Sequence, residues 1–163
     1  MKRNLLLLCL ATTLIFSCSK DADANEENVN PIVGTWRATE FRAADPNNST
    51  LNLGAEILAN LTAEECYILT FMFNADLTVT VENAVNYVVP NATPTGLSVD
   101  CPTQKDTESS TYTYDGSVLT IVDQEGVSQS IKVTIEDNVM TVDATDLDVN
   151  NLNAAGSVIF TKA

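Results

Sequence analysis

Four side chains in this 163-residue sequence could do thiol chemistry: Cys9, Cys18, Cys66 and Cys101. None has a histidine to activate it, because the chain contains no His. The same absence removes the commonest general base and the commonest zinc ligand. Carboxylates are abundant, with 22 Asp and Glu against 8 Lys and Arg and a formal charge of −14. A glycosidase would use two of them at a defined separation, and spacing along the chain does not single out a pair. There is no glycine-rich phosphate loop, no nucleophile elbow and no cofactor motif, so the chain does not read as an enzyme. The run Asp143-Ala144-Thr145-Asp146-Leu147-Asp148-Val149-Asn150 offers oxygen atoms to a hard cation. It lacks the mid-loop Gly and distal Glu of a calcium loop, reads as a solvated acidic loop, and predicts no metal site. Nucleic acid is excluded as a partner, since its phosphates require a basic surface.

The N-terminal segment sets the address. Lys2 and Arg3 precede a 12-residue apolar run, Leu5 to Phe16. At about 1.5 Å per residue this run is too short to cross about 30 Å of hydrocarbon, and it reads as the core of a signal peptide over residues 1–17. It ends in Ile15-Phe16-Ser17-Cys18, which resembles the lipobox of bacterial lipoproteins. The alternative is an ordinary secretory signal followed by a coincidental Cys. The resemblance implies cleavage after Ser17, lipidation of the Cys18 sulfur, acylation of the new amine (palmitate-like chains), and anchoring of the protein in the outer membrane. Several acyl chains hold a protein stably where one does not. Residues 18–30 are polar and acidic and read as a flexible tether. Lys20 followed by acidic residues is similar to the export signals that send some lipoproteins to the cell surface. Loss of Lys2 and Arg3 would leave 6 Lys and Arg against 22 acids, a net charge of −16.

With Cys9 in the signal and Cys18 lipidated, Cys66 and Cys101 remain. In an oxidising envelope they are a disulfide candidate. Such a bond would close a loop of about 35 residues, worth roughly 3–4 kcal/mol in the chain-entropy model. The alternative, a reactive thiol, is disfavoured by the acidic neighbours Glu64, Glu65 and Asp100.

From Pro31 onward the chain reads as strands with turn punctuation. Strands are expected over Ile32–Arg42, Cys66–Phe73, Leu77–Asn83, Glu108–Tyr114, Ser117–Asp123, Val127–Glu136, Val139–Asp143 and Ser157–Lys162. Expected inner rows are Tyr67, Leu69, Phe71 and Phe73; Leu77, Val79 and Val81; and Val127, Gln129, Ile131, Val133 and Ile135. Between the first two strands Leu53, Ile57, Leu58 and Leu61 recur at helical spacing, predicting one short helix within Leu51–Cys66. Ala84 to Asp106, with Pro90, Pro94, Gly96 and Pro102, reads as a long irregular loop, and Ala144 to Ala155 as a polar one. Eight antiparallel strands joined mostly by hairpins predict an all-β, up-and-down barrel over residues 31–163. A transmembrane barrel is disfavoured, since its strands run to about 9–11 residues with aromatic girdles and aromatics here are only 6%.

The first strand carries Gly34-Thr35-Trp36. A Gly-x-Trp there resembles the lipocalins and the small bacterial lipoproteins with a lipocalin-like domain. Leu69-Thr70-Phe71, Tyr112-Thr113-Tyr114-Asp115-Gly116 and the closing Val158-Ile159-Phe160-Thr161-Lys162 are similar to segments of that bacterial group. The resemblance implies that Trp36 packs across the closed end of the barrel and that Gly34 lets the chain pass close by. Lipocalins set an Arg of the last strand against the Trp; here only Lys162 is available. Phe71, Phe73, Tyr112, Tyr114, Ile121 and Val133 are the candidate ligand-lining residues, although aromatic stripes on strands can equally fill a core. The expected function is a lipid-anchored, lipocalin-like protein that binds a small apolar or amphipathic molecule. The alternative is a solid barrel whose loops, above all Ala84 to Asp106, dock onto another envelope or secreted protein.

Overall fold

Alternating apolar and polar side chains leave every strand with one face that must escape water, and a meander can hide those faces by closing on itself. In the computed structural model, which describes residues 30–94, 96–147 and 155–163, the chain does this. Its elements are β1 (Gly34–Ala43), α1 (Ser49–Ala63), β2 (Leu69–Phe73), β3 (Thr78–Asn83), β4 (Pro90–Thr93), β5 (Gly96–Val99), β6 (Asp106–Tyr114), β7 (Val118–Val122), β8 (Ser128–Glu136), β9 (Val139–Asp143) and β10 (Gly156–Lys162). Eight strands form a closed antiparallel barrel in the order β1-β10-β9-β8-β7-β6-β3-β2, and β4 pairs with β5 in a separate ribbon. The fold is therefore an eight-stranded up-and-down barrel with one short helix after the first strand. The signal segment 1–17, Cys18 and the tether up to residue 29 lie outside the described residues, as do Asp148, Val149 and Asn150 of the acidic run.

Inner faces follow period two, with one exception. Trp36 and Ala38 are buried, the register with β10 then shifts between Ala38 and Glu40, and Phe41 is buried in place of Glu40. This bulge keeps an acid out of the core and bends β1 over the barrel end. The extra residue, Thr39, donates its hydroxyl to the Ile159 carbonyl at 3.3 Å.

Helix α1 begins where the Asn48 side chain accepts hydrogen bonds from the Thr50 and Leu51 amides. It ends in a Schellman turn: the Cys66 amide donates to the Leu61 carbonyl, the Glu65 amide donates to the Thr62 carbonyl, and Glu65 takes φ 58°. Leu58 and Leu61 are buried against the barrel. The turn delivers Cys66 to Cys101, and the two form a disulfide with Cα atoms 5.8 Å apart.

Several boundaries differ from the expectations. Residues 84–106 are not an irregular loop: they hold a 3₁₀ turn, Val85–Tyr87, and the β4–β5 ribbon. Leu77 has φ 65° and is 48% exposed, because the turn at Asn74–Asp76 runs on through it; the inner row of β3 starts at Val79. Tyr67 leaves its predicted row and lies under Arg37, whose guanidinium carbon is 4.6 Å from the ring centroid. Leu53 faces solvent on α1, and Val127 is exposed ahead of β8. The predicted polar loop opens with a 3₁₀ turn, Ala144–Asp146, and buries Ala144 and Leu147.

Two stability measurements follow. Cys66→Ser/Cys101→Ser removes a cross-link between residues 35 apart, and urea unfolding should show a loss of about 3–4 kcal/mol, matched by adding reductant to the parent chain. Equal stability with and without reductant would show the bond to be energetically idle. The second concerns acid. Asp76, Asp115 and Asp143 each hold a carboxyl below its ordinary pKa, through bonds from Thr78, from the Val118 and Ser117 amides, and from Thr145 respectively. A lowered folded-state pKa contributes stability above the unfolded value, near pH 3.9, that is lost as pH falls through the folded value. Melting temperature should therefore drop on acidification below about pH 4, with a shallower drop in Asp115→Asn.

Candidate functional site

The barrel interior divides into a filled end and an open end. At the filled end the Trp36 indole donates to the Ile32 carbonyl at 2.7 Å, so its N–H is paired within the core. Lys162 crosses Gly34, places its ammonium 5.1 Å from the Trp36 ring centroid and donates to the Pro31 carbonyl at 3.0 Å. A Cβ on Gly34 would lie 2.7 Å from Lys162 Cε, and Gly34 holds φ +131°. The glycine of the motif is thus the gap through which the lysine reaches the tryptophan.

Above them, aromatic rings close-pack. Phe71 and Phe160 meet edge-on at 5.3 Å between centroids, and Phe73 and Tyr112 at 4.9 Å. The Tyr112 hydroxyl donates to the Asn74 carbonyl at 2.9 Å, and burial, then Asp76, pushes its pKa up. Phe73, Tyr112 and Val133 are core residues. Tyr114 is half-buried and donates its hydroxyl to the Gly116 carbonyl at 2.8 Å. Of the six candidate ligand-lining residues, only Phe71 and Ile121 border a cavity at the open end.

That open end contains two cavities. One, of about 330 Å³, lies between α1 and the barrel rim. Ala38, Phe41, Leu69 and Val158 form its floor, Leu51, Gly54 and Leu58 its helical roof, and Val85 and Val88 one side; Thr50 is the one polar side chain among its described lining residues. The other, of about 600 Å³, opens between β3, β6, β7 and β8 over a floor of Phe71, Ile131 and Leu147. Its rim carries Asp106, Glu108, Asp123, Asn83 and Gln129. Tyr87 donates its hydroxyl to Asp106 at 2.8 Å, and that bond raises the tyrosine pKa. The cavities are lined from neighbouring positions of the chain. Leu69 borders the first and Phe71 the second, two residues apart on β2, while Val85 and Asn86 are consecutive.

Most of the apolar cavity escaped the sequence reading. Its floor depends on the bulge that turns Phe41 inward, and its roof on a helical stripe whose gap is Gly54. The absent side chain at Gly54 was the one signal present in the sequence. Chemically the open end can enclose an apolar body and meet a polar group beside it. Among the described residues, no group of three or more His, Cys, Asp or Glu is placed to hold a metal ion.

A family model described as a lipocalin-like domain matches residues 32–142. No curated protein and no solved structure matches the chain.

Gly34→Ala forces a side chain into the Lys162 path at a φ that L-residues rarely adopt. Urea unfolding followed by Trp36 emission should show a loss of about 1–3 kcal/mol, the range for strained backbone positions. An unchanged midpoint would remove Gly34 from the closure.

Proposed function

The chain belongs to the lipocalin-like domain family, and from that premise we propose that it binds a small apolar or amphipathic molecule at the open end of its barrel. The observation that carries this reading is the apolar cavity beneath α1. At about 330 Å³ it falls within the range of ligand pockets, about 300–1,000 Å³, and its wall is almost wholly hydrocarbon. A cavity this apolar favours an apolar occupant, since each Å² of apolar ligand surface taken out of water contributes about 25 cal/mol. The cavities favour this role over that of a solid barrel acting only through its loops.

The same proposal places the protein on a membrane. The charged start, apolar run and Ser17-Cys18 junction support a lipid anchor on Cys18 in the bacterial outer membrane, and the acidic stretch after Lys20 supports the cell-surface side. The domain would then hang from its lipid on a short polar tether, able to receive a hydrophobic molecule close to the bilayer.

Binding is tested with the neutral fluorophore N-phenyl-1-naphthylamine and the variant Gly54→Leu. A Cβ on Gly54 meets nothing within 4 Å, so the new side chain has room to enter the cavity mouth. Replacing Gly by Leu in an exposed helix position also adds about 0.8–1 kcal/mol of helix propensity. The variant should be at least as stable as the parent while binding the fluorophore about tenfold more weakly, a difference of about 1.4 kcal/mol. Equal binding would move the ligand elsewhere, and a parent chain that leaves the fluorophore dark would end the proposal. For the anchor, Cys18→Ala should shift the protein from the membrane fraction to the soluble one. Retention in the membrane would refute it.

A further inference from the structure

We infer that the ligand of this site is a cationic amphiphile, its apolar body beneath α1 and its positive head in the adjoining acidic mouth. The inference rests on the reading above, that the open end binds an amphipathic molecule, and assigns the sign of the head group.

Leu69 lines the apolar cavity and Phe71, two residues further along β2, lines the wider one, so a molecule long enough to leave the first would meet the second. On β6, Asp106 and Glu108 face the same way as Ser110, register-paired with Asn83, Val81 and Val79 of β3. Period two therefore sets two carboxylates on the inner-face row of β6, where they line the mouth while staying exposed to solvent, and Asp123 adds a third just after β7. One Asp106 oxygen is occupied by Tyr87, and Asp123 Oδ1 accepts the Glu125 and Val127 amides; neither contact neutralises charge.

Among the described residues no cation lines the mouth beside them. The described residues contain five Lys and Arg, and none lines either cavity. Arg37 lies on Tyr67, Arg42 forks onto Glu40 at 2.8 and 2.9 Å, and Lys105 holds Glu82 at 2.6 Å. Lys132 is exposed on β8, and Lys162 is committed to Trp36 at the filled end. A carboxylate or phosphate head would meet three like charges at the mouth. An ammonium or guanidinium head would meet three partners, at exposed positions where the attraction is strongest at low salt.

The test compares three probes with unbranched tails of nine or ten carbons and heads of different charge: decyltrimethylammonium, decanol and decanoate. Each displaces N-phenyl-1-naphthylamine from the whole chain carrying Cys18→Ala, so that no attached acyl chain competes. Decyltrimethylammonium should bind roughly tenfold tighter than decanol, and decanoate roughly tenfold weaker, at low salt. Asp106→Asn/Glu108→Gln/Asp123→Asn should collapse the three affinities toward that of decanol. The charge-matched control Glu56→Gln/Glu64→Gln/Glu136→Gln, on exposed residues outside both cavities, should keep the order, which separates the mouth from the field of the whole acidic chain. Decanol binding with no preference among heads, or with decanoate the tightest, overturns the inference and leaves the ligand-binding reading standing. An order that the control abolishes as fully as the mouth variant also overturns it. Failure of both decanol and decyltrimethylammonium to displace the fluorophore brings down the ligand-binding reading itself.

Discussion

Lys162 passes over the α-carbon of Gly34, holds the Pro31 carbonyl and rests on the face of Trp36, while Trp36 returns a hydrogen bond to Ile32. These contacts join the two ends of the domain. They also seal the barrel where β1 and β10 meet, and every inner row above takes its register from that seam. Trp36 pairs with Lys162 on one side and with Phe71 on the other, so the tryptophan sets the height of the aromatic layer across three strands. Eight strands enclose only enough room for side chains or one small molecule. Because Trp36, Phe71, Phe73, Tyr112 and Phe160 take up the filled end, any ligand space must lie beyond them.

Two local devices produce that space. The bulge at Thr39 turns Phe41 inward, and the helix inserted after β1 arches over the rim with Gly54 leaving a gap between Leu51 and the pair Ile57 and Leu58. The Schellman turn and the disulfide then fasten the helix end to the segment that carries the β4–β5 ribbon. The apolar cavity is the residue of imperfect filling between a rigid barrel and a helix held in place at its end. The mouth beside it is different in kind, since its acids are there by strand parity.

How much of this could be read from the chain depends on what each feature is made of. Period-two alternation in β3, β6, β7 and β8 is a local property of consecutive residues, and it led directly to eight antiparallel strands. Gly34, Trp36 and Lys162 were readable as a set through their resemblance to a known pattern, and Cys66 and Cys101 by elimination. The bulge was not readable, because Trp36, Ala38 and Glu40 keep strict alternation and only the pairing with β10 breaks it. Pro90, Pro94 and Gly96 hid the ribbon, since breakers that end long strands also punctuate very short ones. Leu77 looked like the first member of an inner row, yet the turn before it needed one more residue. Cavities are volumes left over by packing, so Phe71 and Ile121 could not be told from Phe73 and Tyr112 by spacing.

The seam also governs how the domain comes to exist. Lys162 and Pro31 are 131 residues apart, whereas most other strand pairs are neighbours along the chain. Hairpins from β6 to β9 involve short loops and can form early. β1 must wait for the last strand of all, and loop-closure entropy makes that pairing the slow one. Until it forms, Trp36, Ala38 and Phe41 lack their β10 neighbours and leave an apolar edge uncovered. The first strand of the barrel is thus completed only after the last has arrived.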